Sequence, residues 1–358
     1  MSAPLSSHGR GAQTNASGRY ESLVQEAFDD GWTELDEPPR PLKTTLTAEK
    51  ARTILSRNDS PDIGFDRSIN PYRGCEHGCI YCYARPAHAY MGLSPGLDFE
   101  SKLFFKPEAA RLLERELSKR GYVPAPIHIG GNTDPYQPIE RKLRITRSVI
   151  EVLDRFNHPF SIITKNALIV RDLDLLASMA ERNLVRAAVS VTTLDRKLAR
   201  AMEPRAATPE RRIDALRRLA EAGVPASVSV APIIPGLNDH EIERIVERAA
   251  AAGVRRAHFT VLRLPLEIKD LFREWLEAEQ PDRAGRVMSL VRQMRGGKDY
   301  DPDWGKRMTG EGPVAELIAA RFKVVCRRLA LDLPRVAMDT AQFRIPPKSG
   351  DQMDLFVG

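Results

Sequence analysis

The stretch Gly74-Cys75-Glu76-His77-Gly78-Cys79-Ile80-Tyr81-Cys82-Tyr83 places three cysteines on one short segment, in the spacing C-x3-C-x2-C. A [4Fe–4S] cluster has four irons and is normally held by four thiolates. Three cysteines on one loop therefore leave one iron without a protein ligand and open to a small molecule. We interpret Cys75, Cys79 and Cys82 as the ligands of such a cluster.

A structural zinc site is the main alternative for the same loop. A closed zinc site needs four ligands, and His77 can serve as the fourth. Zinc-binding cysteine pairs, however, are usually accompanied by a second pair further along the chain. The fourth cysteine, Cys326, stands alone in a distant basic stretch. The spacing therefore favours the iron–sulfur cluster.

Length and composition indicate one large α/β domain with extensions. The chain has 358 residues, of which 42% are hydrophobic and 28% charged, with four cysteines and a net charge of +6. So few cysteines, three of them clustered, argue against a disulfide framework and for a reducing compartment. The first 17 residues have no apolar core of a signal peptide, and no apolar run is long enough to cross a membrane. We expect a cytoplasmic protein, not a membrane protein, whose positive charge permits a polyanionic partner.

Strand-like runs alternate with helical patterns, which is typical of a parallel sheet built from βα units. We predict five strands and a further one leading into Cys75: 127–131, 160–165, 185–192, 226–234 and 256–262. Six units of this kind predict a partial (β/α)6 TIM-like barrel. The domain prediction is a disordered tail and linker at 1–60, the barrel at 61–265, a mainly helical extension at 266–340 and a flexible tail at 341–358.

The alternation within these strands predicts the interior of the barrel. Apolar residues of one parity suit the helix side, which turns His128, Ser190 and Ser229 toward the lumen. Closed eight-stranded barrels fill their centre with bulky branched side chains, whereas this lumen is small and polar. We therefore expect a hollow interior that holds a ligand, with catalysis at the carboxyl ends of the strands.

The cysteine loop and the six units resemble the radical S-adenosylmethionine superfamily, and in particular its spore photoproduct lyase-like branch. The motif Gly130-Gly131-Asn132-Thr133-Asp134-Pro135-Tyr136-Gln137-Pro138-Ile139-Glu140 carries the likeness to the branch. The resemblance implies a [4Fe–4S] cluster, S-adenosyl-L-methionine bound at the open iron, and an electron donor such as flavodoxin or ferredoxin. It further implies release of a 5′-deoxyadenosyl radical in a lyase-like reaction that repairs DNA.

The same resemblance implies roles for single residues at the strand ends. Tyr81 is expected near the adenine, and Lys165 is expected to pair with the methionyl carboxylate. The remaining expected contacts are Gly130, Gly131 and Asn132 with the methionyl amino group, Ser190 and Thr192 with the ribose and carboxylate, and Pro235 with the adenine.

One departure from the branch concerns the hydrogen donor. Spore photoproduct lyase carries a cysteine just after the second strand, where this chain has Gly131 or Asn132. Tyr81 and Tyr83, by contrast, match the tyrosine pair that flanks the last cluster cysteine in that enzyme. We take these two tyrosines as catalytic candidates, and the radical relay of the lyase stays open.

The end of the chain resembles a peptide that binds the bacterial sliding clamp. Gln352, Leu355 and Phe356 match the Q-x-x-L-F pattern by which polymerases and repair proteins dock. In such a segment the apolar pair enters a pocket and the glutamine fixes the register. The alternative is an apolar pair that folds back on the barrel.

Three functions remain open on the sequence. The first is a radical S-adenosylmethionine enzyme that repairs or modifies DNA. The second keeps the radical chemistry but acts on RNA, a peptide or a small molecule. The third is a non-catalytic iron–sulfur module that binds DNA and is tethered to the clamp.

Overall fold

The computed structural model describes residues 9–21, 42–332, 334 and 336–347. Its strands are Thr45–Ala48 (β1), Leu55–Arg57 (β2), Arg67–Ile69 (β3), Tyr72–Arg73 (β4), Lys102–Phe105 (β5), Ile127–Ile129 (β6), Phe160–Thr164 (β7), Val185–Ser190 (β8), Ala226–Ile233 (β9) and Arg256–Val261 (β10).

The α-helices of the described residues are Leu97–Ser101 (α1), Ala109–Leu117 (α2), Glu140–Leu143 (α3), Ile145–Arg155 (α4), Leu173–Glu181 (α5), Arg196–Met202 (α6), Pro209–Glu221 (α7), Ile242–Ala251 (α8), Ile268–Glu279 (α9), Pro281–Gln293 (α10) and Gly312–Arg328 (α11). Short 3-10 helices span Arg85–Ala87, Ala89–Met91, Ala167–Asp172 and Asp239–Glu241. None of the described helices is both long enough and apolar enough to span a membrane.

The main sheet has seven strands in the order β10-β9-β8-β7-β6-β3-β2. Its six strands from β10 to β3 pair in parallel, and β2 is added antiparallel at the edge. The predicted α/β fold with six parallel strands is therefore confirmed, and no pairing between β10 and β2 closes the barrel among the described strands. A parallel sheet brings the carboxyl ends of all six strands to one edge, where the cysteine loop begins after β4.

Side-chain alternation separates the core from the lumen. Ile127, Ile129 and Val189 are buried in the hydrophobic core that the sheet shares with its helices. Their neighbours His128 and Ser190 point instead into the central cavity. His128 and Ser190 therefore face the lumen as predicted from the alternation of side chains, while their apolar neighbours face the helices.

A small three-stranded sheet, in the order β1-β5-β4, stands beside the cysteine loop. β5 pairs in parallel with β1 and antiparallel with β4, the strand that leads into Cys75. This sheet was not predicted, because β1 and β4 are four and two residues long and carry little periodic pattern.

The amino-terminal part of the chain differs from the predicted disordered tail. Residues 9–21 (the N-terminal strap) lie against the cysteine loop, and Arg10, Gly11 and Ala12 in it are buried. Residues 45–48 and 55–57 form β1 and β2. The strap is ordered by hydrogen bonds to buried acidic residues and not by apolar content, so a prediction based on hydrophobicity does not detect it.

The chain beyond α11 crosses the amino-terminal end of the barrel. The side chain of Asn183 donates to the Ala337 carbonyl at 2.8 Å, and the Asp339 amide donates to the Asn183 carbonyl at 3.1 Å. Phe343 then packs against the rings of Tyr122, Phe156 and His158. The predicted clamp-binding residues Gln352, Leu355 and Phe356 lie outside the described residues.

Candidate functional site

A cavity of about 2050 Å³ occupies the interior of the partial barrel. Cys75, Cys79 and Cys82 all line it at the carboxyl ends of the strands. At the opposite end it reaches residues 336–338 of the segment that crosses the barrel. The expected hollow interior is thus present, with the cysteines at one end.

The backbone of the cysteine loop is fixed at several points. The Cys75 amide donates to the Phe99 carbonyl at 3.0 Å, and the Ile80 amide donates to the Met202 carbonyl at 3.0 Å. Gly78 has a φ of 67°, in the left-handed region that favours glycine. A Cβ at this position would also lie 2.6 Å from a carboxylate oxygen of Glu100. These contacts give the loop a defined shape.

Arg85 supports the loop from beneath. Its guanidinium has no exposed surface and donates to the carbonyls of Gly78 and Cys79 at 3.1 and 2.9 Å. It also donates to the carbonyls of Pro95 and Gly96 and forms an ion pair with Glu100. Five donors in a rigid planar group hold several carbonyls in one arrangement.

The motif after β6 holds the loop from the barrel side. The Thr133 hydroxyl donates to the Gly74 carbonyl at 2.7 Å. The Gln137 side chain contacts that carbonyl and accepts a hydrogen bond from the Glu76 amide at 2.9 Å. Two residues of the motif at 130–140, Thr133 and Gln137, therefore support the cysteine loop.

His77 is engaged by other side chains and does not complete a zinc site. Its Nδ1 lies 3.2 Å from an oxygen of Asp134, and its Nε2 lies 3.2 Å from the amide nitrogen of Asn166. Asp134 also accepts hydrogen bonds from the Thr164 hydroxyl and the Lys165 amide. Burial opposes ionisation of Asp134, but these partners outweigh it and lower its pKa to about 2.

The geometry of the donors also bears on the choice of metal. Among the described residues, no three Cys, His, Asp or Glu side chains converge on one ion position. A zinc ion requires such convergence, whereas a cubane cluster takes one thiolate for each of three irons. Three thiols on one loop can supply one thiolate to each of three irons, so the donor set of Cys75, Cys79 and Cys82 fits an iron–sulfur cluster.

The cysteine thiols are shielded from solvent. Cys75 and Cys79 are 6% and 8% exposed, and Cys82 is half-buried. Burial raises the pKa of all three thiols, and the neighbouring thiols and acids Asp134 and Glu203 raise it further.

Tyr81 is held by a buried hydrogen-bond network. Its hydroxyl donates to Glu203, which also accepts from the Thr192 hydroxyl at 2.6 Å and forms an ion pair with Arg212. Thr192 itself is not part of the cavity lining, since its hydroxyl is turned toward Glu203 and the Ala231 carbonyl. The structure thus places Thr192 behind Tyr81 and not at the cavity surface.

Lys165 follows β7 and lines the cavity close to Tyr81. Its Nζ lies 5.6 Å from the centroid of the Tyr81 ring, within the range of a cation–π contact. No carboxylate of the described residues forms an ion pair with this ammonium group. The cation is therefore available to an anionic group of a ligand.

The predicted strand-end residues do not all reach the cavity. Gly130, Gly131, Asn132 and Ser190 line it. Gly130 has a φ of 100°, and a Cβ there would lie 2.7 Å from the Ile163 carbonyl oxygen, so only glycine fits. Pro235 is buried away from the lining, where Ala231 and Pro232 stand instead.

Aromatic and basic side chains surround the cysteine end of the cavity. Tyr83 is 46% exposed, donates its hydroxyl to the Gly131 carbonyl, and carries the Arg263 guanidinium 5.0 Å from its ring centroid. Phe65 stacks on His128 with ring centroids 4.2 Å apart. This arrangement can hold a planar ring against an aromatic face and a negative group beside a guanidinium.

The sequence analysis missed the residues that support the site, namely Arg85, Glu100, Asp134, Glu203 and Arg212. Asp134 lies within the quoted motif, so a signal for it existed. Arg85 lies only three residues after Cys82, but a single arginine there forms no pattern. Glu100, Glu203 and Arg212 are far from the loop in sequence and become partners only in the folded chain.

Comparison with known proteins gives three kinds of match. The family model described as the radical SAM superfamily matches residues 69–249. An uncharacterised protein of Mycobacterium tuberculosis (strain H37Rv) is 34% identical over 233 residues, 64% of this chain and 68% of that protein. A protein of Pseudomonas phage M6 named radical SAM Nalpha-GlyT isomerase is 27% identical over 51% of this chain and 36% of its own length.

Solved structures show the same fold at low sequence identity. Spore photoproduct lyase, in a complex with dinucleoside spore photoproduct, aligns with a TM-score of 0.57 and 15% identity over 79% of each chain. The family model spans half of this chain, and its first matched residue is Ile69 at the end of β3. The chain therefore belongs to the radical S-adenosylmethionine superfamily, with a fold similar to that of spore photoproduct lyase.

Proposed function

We propose that the protein is a radical S-adenosylmethionine enzyme that repairs or modifies a base of DNA, with Cys75, Cys79 and Cys82 holding a [4Fe–4S] cluster. Membership of the superfamily implies S-adenosylmethionine and an iron–sulfur cluster. The observation that carries the proposal is that three shielded thiols, the cation Lys165 and an aromatic, basic rim line one cavity of about 2050 Å³.

The chain's own residues have distinct tasks in this proposal. When bound, the reduced cluster supplies the electron that cleaves the sulfonium and releases a 5′-deoxyadenosyl radical. Lys165 neutralises the methionyl carboxylate, and the backbone at Gly130 and Gly131 approaches the amino group closely because no side chain intervenes. The Tyr81 ring, fixed through Glu203, presents a rigid face to the adenosyl group.

The size of the cavity supports a substrate larger than a single metabolite. Pockets for drug-sized ligands are about 300–1,000 Å³, so this cavity has room for the cofactor and a second molecule. A base of duplex DNA must leave the stack to enter such a site. The Phe65–His128 stack and the Arg263–Tyr83 pair offer a surface for the base and its phosphate.

One match supports a nucleic-acid substrate and another supports an isomerisation. Spore photoproduct lyase, which shares the fold, is known in a complex with dinucleoside spore photoproduct. The phage relative is named a radical SAM isomerase. We propose a lyase-like or isomerase-like reaction, in which a hydrogen atom is removed from the substrate and one is returned to the product.

Tyr83 is our candidate for the hydrogen donor. Its hydroxyl is at the cavity rim, whereas Tyr81 is a buried residue whose hydroxyl contacts Glu203 and Thr192. Because the cysteine of the lyase is absent, the phenolic hydrogen of Tyr83 is our proposed source next to the cluster loop. The phenoxyl radical left on Tyr83 would then be reduced by one electron from the flavodoxin-type donor and one proton from solvent. Tyr81 then acts as a cofactor contact.

The experiment is anaerobic reconstitution with iron and sulfide, followed by reduction with flavodoxin or dithionite in the presence of S-adenosylmethionine. We would measure 5′-deoxyadenosine with ultraviolet-irradiated DNA, undamaged DNA and RNA of the same sequence. The proposal expects cleavage that DNA stimulates. Cleavage that no DNA changes would contradict the DNA substrate, and stimulation by RNA alone would replace it.

We further propose that Gln352, Leu355 and Phe356 bind the bacterial sliding clamp. The support is the spacing of these residues after a Pro-rich stretch, 345–350. The test is binding of purified clamp to the full chain and to a variant with Leu355→Ala and Phe356→Ala. Equal binding by both chains would contradict the proposal.

A further inference from the structure

The N-terminal strap makes its central contacts with the carboxylate that holds Arg85. The amides of Gly11 and Ala12 donate to the two oxygens of Glu100, each at 2.9 Å. Glu100 therefore binds the strap and Arg85 at the same time, and Arg85 binds the carbonyls of the cysteine loop. One buried carboxylate connects the strap to the loop.

The strap also touches the loop directly. A Cβ built on Gly11 would lie 1.8 Å from the carbonyl oxygen of Gly78, so the two backbones are in the closest contact that glycine allows. Ala12 has no exposed surface and belongs to the same packed cluster as Cys79, Ile80 and Tyr81. The strap therefore covers the side of the loop that faces away from the cavity.

Further contacts fix both ends of this arrangement. Arg10 donates to the Glu100 carbonyl at 2.6 Å, to the Leu42 carbonyl at 2.8 Å and to the Thr44 hydroxyl at 3.0 Å. Asn15 exchanges two hydrogen bonds with Asp98, at 2.9 and 3.1 Å. If the strap detaches, hydrogen bonds to water must replace these hydrogen bonds.

Glu76, within the loop, is bound by the same surroundings. Its carboxylate accepts from the Thr44 hydroxyl at 2.6 Å and from Arg205 at 3.0 Å. Arg205 in turn contacts the Gly9 carbonyl at 3.3 Å. The loop is thus enclosed by the strap, by residues 42–44 and by Arg205.

We propose that the N-terminal strap is a positioning element of the cluster site, which holds the cysteine loop closed and keeps water and oxygen from its outer side. The claim that the strap protects the cluster rests on the proposed function. The claim that it holds the cysteine loop closed does not, since protection of the free thiols can be measured without any cluster.

The test compares Gly11→Val, which places a side chain against the Gly78 carbonyl, with Ala16→Val at an exposed position of the same strap. In the cluster-free protein we would follow alkylation of Cys75 and Cys79 by iodoacetamide with mass spectrometry. If opening of the strap governs access of iodoacetamide to the thiols, Cys75 and Cys79 should be alkylated ~10-fold faster in Gly11→Val than in wild type. In Ala16→Val they should be alkylated at the wild-type rate.

A second readout is the loss of cluster absorbance in air after anaerobic reconstitution. Gly11→Val should lose it ~10-fold faster than wild type, or fail to assemble the cluster while the cluster-free protein keeps its far-UV circular dichroism. Wild-type rates of alkylation and bleaching in Gly11→Val would overturn the proposal. If that variant does not fold, Arg10→Met removes three strap hydrogen bonds without added bulk and is judged by the same rates.

The two failures are distinguishable. Absence of S-adenosylmethionine cleavage by the wild-type chain would contradict the proposed function and leave the alkylation result standing. Normal cleavage by the wild-type chain, with wild-type thiol protection in Gly11→Val (or in Arg10→Met if Gly11→Val does not fold), would contradict only the strap.

Discussion

Arg85 and Glu100 form an ion pair in which neither side chain has exposed surface, directly beneath the cysteine loop. Arg85 uses its remaining donors on loop and neighbouring carbonyls, and Glu100 accepts two amides of the N-terminal strap. A buried charge left without its partner is strongly unfavourable. The pair therefore makes the shape of the cysteine loop depend on two residues outside it.

We expect Glu100→Gln to lower the free energy of unfolding of the cluster-free protein by about 3–5 kcal/mol, because the Arg85 charge stays buried. Glu108→Gln is the matched control, since its pair with Arg111 has side chains 58% and 61% exposed. That change should leave the free energy of unfolding almost unchanged, because exposed ion pairs contribute little to stability. Denaturant unfolding measures both, and similar losses in the two variants would contradict the role of the buried pair.

Lys165→Met should weaken binding of S-adenosylmethionine to the reconstituted protein by ~10-fold or more, since a charge-assisted contact is worth about 1.5–3 kcal/mol. Lys165→Arg keeps the charge and should recover part of the affinity. Lys142→Met, at an exposed position of α3, serves as control. Equal affinities of Lys165→Met and the control would refute the carboxylate contact.

Tyr83→Phe keeps the ring beside Arg263 and removes the hydroxyl. If Tyr83 donates the hydrogen atom, the variant should still form 5′-deoxyadenosine, while product formed per cleavage falls ~10-fold. Tyr90→Phe changes a tyrosine that is 70% exposed and should keep the wild-type ratio. An unchanged ratio in Tyr83→Phe would assign the donor elsewhere.

His158 should make stability depend on pH. Burial lowers its pKa to about 4, from 6.5, while it contacts the Tyr122 hydroxyl and the Pro159 carbonyl. Below pH 6.5 the imidazole of His158 becomes protonated in the unfolded chain, whereas it stays neutral in the folded chain until about pH 4. The free energy of unfolding therefore decreases as the pH falls from about 6.5 to about 4, by up to roughly 3 kcal/mol.

The check is the free energy of unfolding from pH 7.5 to 4.5 in wild type, in His158→Gln and in His240→Gln. His240 is exposed and provides the control. The pH dependence should be smaller in His158→Gln than in the other two proteins. Three parallel curves would show that His158 does not contribute.

The sequence was sufficient for the barrel and for the thiols because both depend on local patterns. Strand periodicity alone predicts that His128 and Ser190 face the lumen. The three cysteines are recognised from their spacing within eight residues.

Residues whose role depends on distant partners were not predictable in this way. Glu100 contacts Gly11 across 89 positions of sequence, and Glu203 contacts Tyr81 across 122. The family resemblance placed Thr192, the last residue of the predicted strand 185–192, and Pro235, directly after the predicted strand 226–234, at the cofactor. In the structure β8 ends at Ser190 and β9 at Ile233, so both residues already belong to the turns behind the lining.

The most direct test of the central claim is anaerobic formation of 5′-deoxyadenosine by the reconstituted wild-type chain, with Cys79→Ala and Cys326→Ala beside it. We expect cleavage of S-adenosylmethionine by wild type and by Cys326→Ala, and none by Cys79→Ala, which also loses the cluster absorbance. Cleavage retained in Cys79→Ala, or absent from a wild-type protein that carries an intact cluster, would contradict it.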